Sequence, residues 1–503
     1  MPTDISKKPR VTPAIGDALI FCRGNSWIVL FCSVLILIPC FWHRHIEAGD
    51  LASHTYNAWL AQSIVKGHAP GLYIVPRWNN VLFDISLEQL GNLIGIPVAE
   101  KVVVSGAVLV FFWGVFSFLV VVTGKPPWYL MPCIAMLAYG YAFSMGFINY
   151  YLSIGLACFV LAMLWRNGAR NWISATPVAV LALAAHPIGF LWLSGTIVYV
   201  LLRRRVPWGW RLVLPGLVVA VFLGLHFYVA EHPSLQAVWP QYPIYMRNGS
   251  DQLIFYGHRY AILAYAALAW GIGCFVVDML SRIHGREADW QSLWLVLDLY
   301  AVSFCVTALT PEDLHTGLYA GWIGYVVSRL TVISAILGLA VLNSGKSRNW
   351  FFAGFTACAV IFFIYLFQDT LTLNRLEDDA DRVVATLPVG SRIVPVLNAP
   401  DDWRAEFIYH AVERACIGRC FSYANYEPAS QEFRIRVDPG SSIATSSSDD
   451  AEAMATGDYV VKNSDPPLTA IYQCDDSDFT KLCAIPLHPG ETEEKTILDS
   501  GDN

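Results

Sequence analysis

The residues best suited to chemistry lie between positions 47 and 73, in the sequence EAGDLASHTYNAWLAQSIVKGHAPGLY. Two carboxylates, Glu47 and Asp50, and the histidine His54 follow an uncharged stretch that is long enough to cross a membrane. Carboxylates and imidazoles are side chains that enzymes use to move protons. Their value as candidates depends on the element that carries them.

A helix over DLASHTYNAWLAQSIVKG places Asp50, His54 and Asn57 on one face, because they recur at intervals of four and three. We predict an amphipathic helix at the membrane interface with its polar face exposed, ending near Gly67, and a second such helix over 82 to 95. Asp50 and His54 could also have purely structural roles. Asp50 is a good N-cap residue, and His54 would be an interfacial hydrogen-bonding group.

The composition indicates a membrane protein, since 55% of the 503 residues are hydrophobic and 15% are charged. A spanning helix needs roughly 20 apolar residues. We predict a membrane all-α fold, a polytopic bundle of about 11 transmembrane helices. The predicted spans lie near 25 to 43, 101 to 123, 128 to 146, 148 to 165, 172 to 186, 188 to 202, 212 to 230, 260 to 280, 291 to 309, 321 to 342 and 350 to 368.

The distribution of Lys and Arg predicts the orientation. With the N-terminus in the cytoplasm, 15 of the 22 Lys and Arg residues before residue 374 fall on the cytoplasmic side. An odd number of spans then places the C-terminus and the first loop, 44 to 100, outside the cytoplasmic (inner) membrane. Membrane lipids are expected neighbours.

Residues 1–373 are predicted to form the transmembrane domain, and 374–503 a small mixed α/β soluble domain with a partly disordered acidic tail. The second part has 11 basic and 24 acidic residues, which argues against nucleic acid as a partner. We predict strands over SRIVPVLN, DYVVKN and LTAIYQC and a helix over DDWRAEFIYHAVERA, with PGSSIATSSSDDAEAMATGD as loop or disorder.

Four cysteines lie in this acidic part: Cys416, Cys420, Cys474 and Cys483. In an oxidising compartment they predict two disulfides, with three pairings open. A four-cysteine zinc site is the alternative, although the spacing between Cys474 and Cys483 is not that of a zinc ribbon.

The layout resembles the GT-C class of membrane glycosyltransferases, which includes protein O-mannosyltransferases and lipid A aminoarabinose transferases. The resemblance rests on the EAGD segment and on TPEDLHTGLYAGWIGYVVSRL, residues 310 to 330, where a proline-led loop runs into a helix with a lone arginine. The run YNAWLA, PGLY and NVLFD is similar to that of a group of poorly characterised bacterial membrane proteins.

The resemblance implies transfer of a sugar from a polyprenyl-phosphate carrier to a lipid, glycan or protein acceptor by an inverting glycosyltransferase. Asp50 would be the base that accepts the proton of the acceptor hydroxyl. Glu47 would be an alternative base, or a metal ligand, and His54 and Asn57 would contact substrate.

The leaving phosphate needs cationic or hydrogen-bonding groups. Arg329 is the candidate, at about the eighth residue of a helix that starts near 321. An ion pair with Glu312 or Asp313, or snorkelling of the side chain, would explain Arg329 equally well. Arg77 and His258 are weaker candidates for contact with substrate.

No cofactor can be assigned from the sequence, but a divalent cation is an open option. Glu312, Asp313 and His315 could form a metal site with Glu47 or Asp50, although no pair of carboxylates has diagnostic spacing.

Two other functions compete with the enzyme. One is a non-catalytic protein that binds or presents a lipid-linked glycan. The other is a transporter, which is disfavoured because few ionisable groups fall in the predicted spans.

Overall fold

The computed structural model describes residues 25–165, 171–211, 213–284, 290–316, 322–345, 349–475, 477–490 and 492. Cys22, several of the Lys and Arg residues used to predict the orientation, and most of the acidic tail lie outside these ranges.

The membrane part of the chain is built from helices, most of which coincide with the apolar segments. In chain order they are α1 (Ser26–Leu37), α2 (Leu51–Val65), α3 (Leu82–Ile94), α4 (Ile96–Thr123), α5 (Met131–Ala138), α6 (Tyr141–Ser144), α7 (Ile148–Leu164), α8 (Trp172–Ala185), α9 (Pro187–Arg205), α10 (Val213–Glu231), α11 (His258–His284), α12 (Trp290–Leu309), α13 (Val326–Ser344) and α14 (Asn349–Thr386).

Five of these helices, among the residues that the structure describes, are long and apolar enough to cross a membrane: α4, α10, α11, α13 and α14. Shorter apolar helices cover most of the other predicted spans. Helix α10 has no buried residue, and its apolar side chains, such as Val221 and Phe227, project outward. An apolar surface of this kind indicates association with a membrane.

The predicted span over 128 to 146 is wrong as a single helix. It is divided into α5 and α6 by Tyr139 and Gly140. The break lies against Gln252, whose Oε1 accepts the backbone N–H of Ala142 at 3.1 Å. A Cβ at Gly140 would lie 2.6 Å from the carbonyl oxygen of Gln252. Close backbone contact therefore interrupts the helix.

The described part of the chain also contains three small sheets. The first pairs β1 (Leu72–Ile74) with β7 (Ile435–Val437), antiparallel. The other strands are β2 (Leu235–Val238), β3 (Asp313–Thr316), β4 (Trp322–Ile323), β5 (Arg392–Val396), β6 (Phe421–Ser422), β8 (Leu468–Gln473) and β9 (Leu482–Pro486). The second sheet has the order β2-β3-β4, and the third, of mixed direction, has the order β6-β5-β8-β9.

The C-terminal region packs on the first loop. Besides the β1–β7 pairing, Asn425 Nδ2 donates to Asn57 Oδ1 at 2.7 Å, and the N–H of Ser422 donates to the hydroxyl of Tyr56. Two regions that share a sheet lie on the same side of a membrane. Helix α14 continues through the predicted domain boundary at 373 and 374, so the C-terminal region extends directly from a candidate spanning helix.

Helices α2 and α3 lie where the sequence predicts them, but the exposed polar face of α2 is wrong. Twelve of its fifteen residues are buried, including His54 and Asn57. The physical reason is that the C-terminal region covers the face that the sequence alone would assign to water. Polar groups there bind protein partners instead.

The strands over SRIVPVLN and LTAIYQC are confirmed, but three other predictions in the C-terminal region are wrong. DDWRAEFIYHAVERA is irregular, apart from a 3₁₀ turn at Arg414–Cys416. Phe407, His410 and Val412 are all buried, and on a helix they would point in three different directions, so the segment buries more than one helix face. DYVVKN has only an isolated bridge at Val460. The segment expected to be loop contains a helix at Ser448–Thr456.

The prediction of two disulfides is confirmed. Cys416 pairs with Cys420, and Cys474 pairs with Cys483. The four-cysteine zinc site is therefore not formed.

Candidate active site

Asp50 occupies the N-cap position of α2, but its side chain makes no capping hydrogen bond. The side chain is 29% exposed, and its Oδ1 lies 3.8 Å from Nε2 of His410. This distance is longer than a hydrogen bond. The capping explanation of Asp50 is therefore wrong, and part of the carboxylate is exposed to solvent.

The backbone around Asp50 is fixed by the loop that follows α6. The N–H groups of Gly49 and Asp50 donate to the carbonyls of Ser144 and Met145 at 2.8 and 3.1 Å. Gly146 has φ +78°, and a Cβ there would lie 2.4 Å from the backbone nitrogen of Asp50. Only glycine allows this close approach, and it sets the position of the carboxylate.

A chain of polar groups continues from Asp50 into the C-terminal region. His410 is buried, and its Nδ1 lies 3.4 Å from Oε2 of Glu413. Ser422 Oγ donates to the other oxygen of Glu413 at 3.1 Å. Burial alone would lower the pKa of His410, but the charges of Glu413, Asp50 and Glu406 outweigh it and raise the pKa. His410 thus links Asp50 to the buried carboxylate of Glu413.

Arg329 lies in the first turn of α13, because the helix begins at Val326 and not near 321. Its Nη1 donates to the carbonyl of Gly324, and its guanidinium lies 4.2 Å from the centre of the Phe147 ring. Its Nε is buried without a hydrogen-bond partner among the described residues. Of the acids near it, Asp50 has the strongest electrostatic effect on it.

The two acids considered as ion-pair partners of Arg329 are engaged elsewhere. Glu312 accepts a hydrogen bond from Ser328 Oγ at 2.7 Å, and Asp313 accepts one from the N–H of Tyr325 at 2.9 Å. Arg329 is therefore a cation with spare donor capacity at the end of a candidate spanning helix.

Glu47 lies in a different environment, although it is one turn from Asp50 in sequence. It is 8% exposed, and its Oε1 accepts a hydrogen bond from Asn374 at 2.6 Å. Glu100, Glu377 and Arg414 complete this buried cluster, in which Arg414 bonds to both of the other glutamates. Burial and the charge of Glu377 raise the pKa of Glu47 well above its usual range, against the effect of Arg414.

His54 joins a second polar cluster beside Asp50. Its Nδ1 lies 2.6 Å from Oδ1 of Asp84, whose other oxygen accepts a hydrogen bond from Asn149 at 2.7 Å. Burial lowers the pKa of His54, but Asp84 outweighs it and raises the pKa to about 9. Burial and Asp84 raise the pKa of Glu427 to about 8.

The remaining sequence candidates have other contacts. Asn57 is buried between Ser53 and Asn425. Arg77 donates to the carbonyl of Glu432, and His258 is exposed at the first residue of α11. Of the predicted substrate contacts, the structure thus brings His54 and Arg329 into the electrostatic neighbourhood of Asp50.

Two groups of His and carboxylate side chains, among the described residues, have ligand atoms within 4.8 Å of one another. They are His45 with Asp378 and Asp381, and His54 with Asp84 and Glu427. A shared metal site of Glu312, Asp313 and His315 with Glu47 or Asp50 is not among them. Those two regions have separate partners, as described above.

An apolar cavity of about 320 Å³ lies between α11, α12 and α13. Ala335, Gly338 and Leu342 of α13 line one side, and Ala264 and Leu268 of α11 line another. Ala335 is six residues beyond Arg329, or about 9 Å along the helix axis. At about 100° per residue, Ala335 and Gly338 point to the side of α13 opposite Arg329, so the cavity and Arg329 lie on different faces of one helix.

Comparison with known protein families, curated proteins and solved structures found no match for this chain.

Sequence reasoning missed His410, Glu413 and Glu427. His410 and Glu413 fall in a segment predicted as an ordinary amphipathic helix, and more than 350 residues separate them from Asp50. Asp84 had a weak signal, since it ends the NVLFD run that carries the resemblance. The other three had none that a single sequence provides.

Proposed function

We propose that this chain is an inverting GT-C-type glycosyltransferase that moves a sugar from a polyprenyl-phosphate carrier to an acceptor hydroxyl. The observation that carries the proposal is that Asp50 and Arg329 lie within electrostatic range of each other. The side chain of Asp50 is partly exposed and makes no capping hydrogen bond, and Nε of Arg329 has no hydrogen-bond partner among the described residues. The first group can accept a proton and the second can bind a phosphate.

In the proposed reaction, Asp50 takes the proton from the acceptor hydroxyl as its oxygen attacks the anomeric carbon. The bond from that carbon to the phosphate oxygen breaks on the opposite face, and the electron pair leaves with the carrier phosphate. Arg329 stabilises the charge that develops there. His410 is a positioning residue, because its Nε2 lies 3.8 Å from Oδ1 of Asp50.

We further propose that the shorter apolar helices α1, α7, α8 and α12, the helix α9 and the broken pair α5 and α6 also cross the membrane. Together with the five long helices they give about eleven spans, with the N-terminus in the cytoplasm. The first loop and the C-terminal region then lie at the outer face of the cytoplasmic membrane. Their shared sheet supports placing them on one side together.

The test is sugar transfer from a set of polyprenyl-phosphate sugars by purified protein in detergent. Wild type is compared with Asp50→Asn and with Asp378→Asn, an exposed carboxylate paired with Arg44. Arms with EDTA and with divalent cations are included. We expect Asp50→Asn to lower the rate by about 10²- to 10⁴-fold with donor binding retained, and Asp378→Asn to behave as wild type.

The result that would contradict the proposal is transfer by Asp50→Asn at the wild-type rate. Donor binding with no transfer by any variant, over a broad set of acceptors, would favour a protein that binds or presents the lipid-linked glycan. Absence of both binding and transfer would reject both functions.

A further inference from the structure

Three elements that are distant in sequence bring His54, Asp84 and Glu427 together. Helix α2 carries His54, α3 carries Asp84, and the short helix at Tyr426–Ser430 carries Glu427. One potential ligand atom from each lies within 4.8 Å of the others. The hydrogen bond between Asn425 and Asn57 holds the short helix over α2.

The carboxylate of Glu427 is the unusual member of this group. The residue is 5% exposed, and its hydrogen bonds to the rest of the described chain come from its backbone alone. A buried carboxylate without a hydrogen-bond donor is costly. It also faces Asp84, a second acid, with His54 as the closest cation of the group.

A divalent cation would compensate the negative charge of the two buried carboxylates. Two carboxylates neutralise its charge, and a neutral imidazole supplies a third ligand. Asn149 donates a hydrogen bond to Oδ2 of Asp84, the oxygen that does not contact His54, and so already orients that carboxylate. Metal ligands commonly have such hydrogen-bond partners.

From these contacts we infer that His54, Asp84 and Glu427 form a binding site for a divalent first-row transition metal such as Zn²⁺ or Mn²⁺. One nitrogen and two oxygen donors suit these ions better than Ca²⁺ or Mg²⁺, which prefer oxygen ligands. The site lies one helical turn from Asp50, and it requires no assumption about sugar transfer.

The pair of His54 and Asp84 needs little change to accept the ion. With metal–ligand distances of about 2.0 to 2.2 Å, Nδ1 of His54 and Oδ1 of Asp84 would be about 3 Å apart in an octahedral site and ~3.4 Å apart in a tetrahedral one. Their present separation is 2.6 Å. The pair opens by less than about 1 Å as the ion replaces the proton between them.

The test is direct metal binding to the full-length protein, without donor or acceptor. Protein purified in detergent and stripped with EDTA is titrated with Zn²⁺, and in separate arms with Mn²⁺ and Mg²⁺, by calorimetry and elemental analysis. We expect one Zn²⁺ or Mn²⁺ per chain and weaker Mg²⁺ binding. Glu427→Gln keeps the shape of the side chain and should lower the affinity by roughly tenfold or more.

Asp378→Asn is the matched control, because it removes one acid from the rival group of His45, Asp378 and Asp381. Unchanged affinity in this variant is expected. Loss of binding in Asp378→Asn, unchanged binding in Glu427→Gln, or no stoichiometric binding to wild type would each overturn the site.

A second measurement covers the case in which Glu427→Gln fails to fold. X-ray absorption of the zinc-loaded wild type should show a single imidazole in a shell of nitrogen and oxygen at about 2.0 to 2.1 Å. Two or more imidazoles, or sulfur at about 2.3 Å, would contradict the assignment. Because both readouts are independent of activity, they separate failure of this site from failure of the glycosyltransferase proposal.

Discussion

Glu47 and Asp50 are three residues apart in one loop, but the fold places them in different environments. Glu47 is enclosed, hydrogen-bonded to Asn374 and beside Arg414 in a buried cluster of three glutamates and one arginine. Asp50 is partly exposed, 3.8 Å from the nearest histidine nitrogen. Two carboxyl groups in one short motif therefore need not share a role, because the residues around each one decide whether it is enclosed or exposed.

The largest effect should come from Arg414→Met, which leaves three buried glutamates without their cation. We expect a loss of about 3–5 kcal/mol in the free energy of unfolding, because an unpaired buried charge is strongly destabilising. Thermal and denaturant unfolding in detergent measure it. Arg44→Met is the control, since Arg44 is an exposed partner of Asp378 and Asp381 and should cost under about 1 kcal/mol. Equal effects of the two changes would show that the Glu47 cluster is not a structural centre.

On the Asp50 side, Arg329→Gln should weaken donor binding with little loss of stability. Hydrogen bonds to a charged phosphate contribute about 1.5–3 kcal/mol, which corresponds to roughly 10- to 100-fold in affinity. Binding of polyprenyl-phosphate sugar by calorimetry checks this. Arg259→Gln serves for comparison, because Arg259 is paired with Asp369. The role of Arg329 is refuted if both variants bind the donor as wild type does.

Gly146→Ala should move Asp50, because Gly146 has φ +78° and a Cβ would lie 2.4 Å from the Asp50 nitrogen. We expect about 1–3 kcal/mol of lost stability together with reduced transfer. Gly390→Ala is a matched change, since Gly390 has φ +85° and open space around its Cβ position. It should lose stability through backbone strain alone. If both variants lost transfer, or if neither did, Gly146 would have no specific role in positioning the carboxylate of Asp50.

The smallest effect is expected from Glu47→Gln, and it should depend on pH. The raised pKa of Glu47 means that the folded protein keeps a proton that the unfolded chain releases near the ordinary value of 4.5. Wild-type stability therefore falls as the pH rises from 4.5 through the raised pKa, and the variant lacks this part of the fall. Unfolding midpoints of both proteins across this range measure the difference. Parallel curves would mean that Glu47 is ionised in the folded state.

The sequence predicted the local features well. Apolar runs marked most of the helices, and the helix at Leu51–Val65 with its stop near Gly67 follows from spacing and glycine. Asp50 was singled out by its position after the first apolar segment. These features depend on neighbouring residues, which a single sequence displays directly.

The features that could not be predicted from the sequence depend on contacts between distant residues. The burial of α2 and the contact of Asp50 with His410 depend on residues more than 350 positions apart. The path of DDWRAEFIYHAVERA depends on Phe255, whose carbonyl accepts the N–H groups of Arg404 and Ala405. Amphipathic spacing predicts a helix at the surface when it is considered alone, but the C-terminal region covers it. The separation of Glu47 from Asp50 has the same origin, because Arg414 and His410 come from that region.

The most direct test of the account is to compare Asp50→Asn and Glu47→Gln in one sugar-transfer assay, with folding and donor binding measured in parallel. Each change replaces a carboxylate by its amide. The account predicts that Asp50→Asn loses transfer by about 10²-fold or more while Glu47→Gln keeps nearly all of it. Loss of transfer in Glu47→Gln, with Asp50→Asn active, would show that the roles of the two acids are reversed.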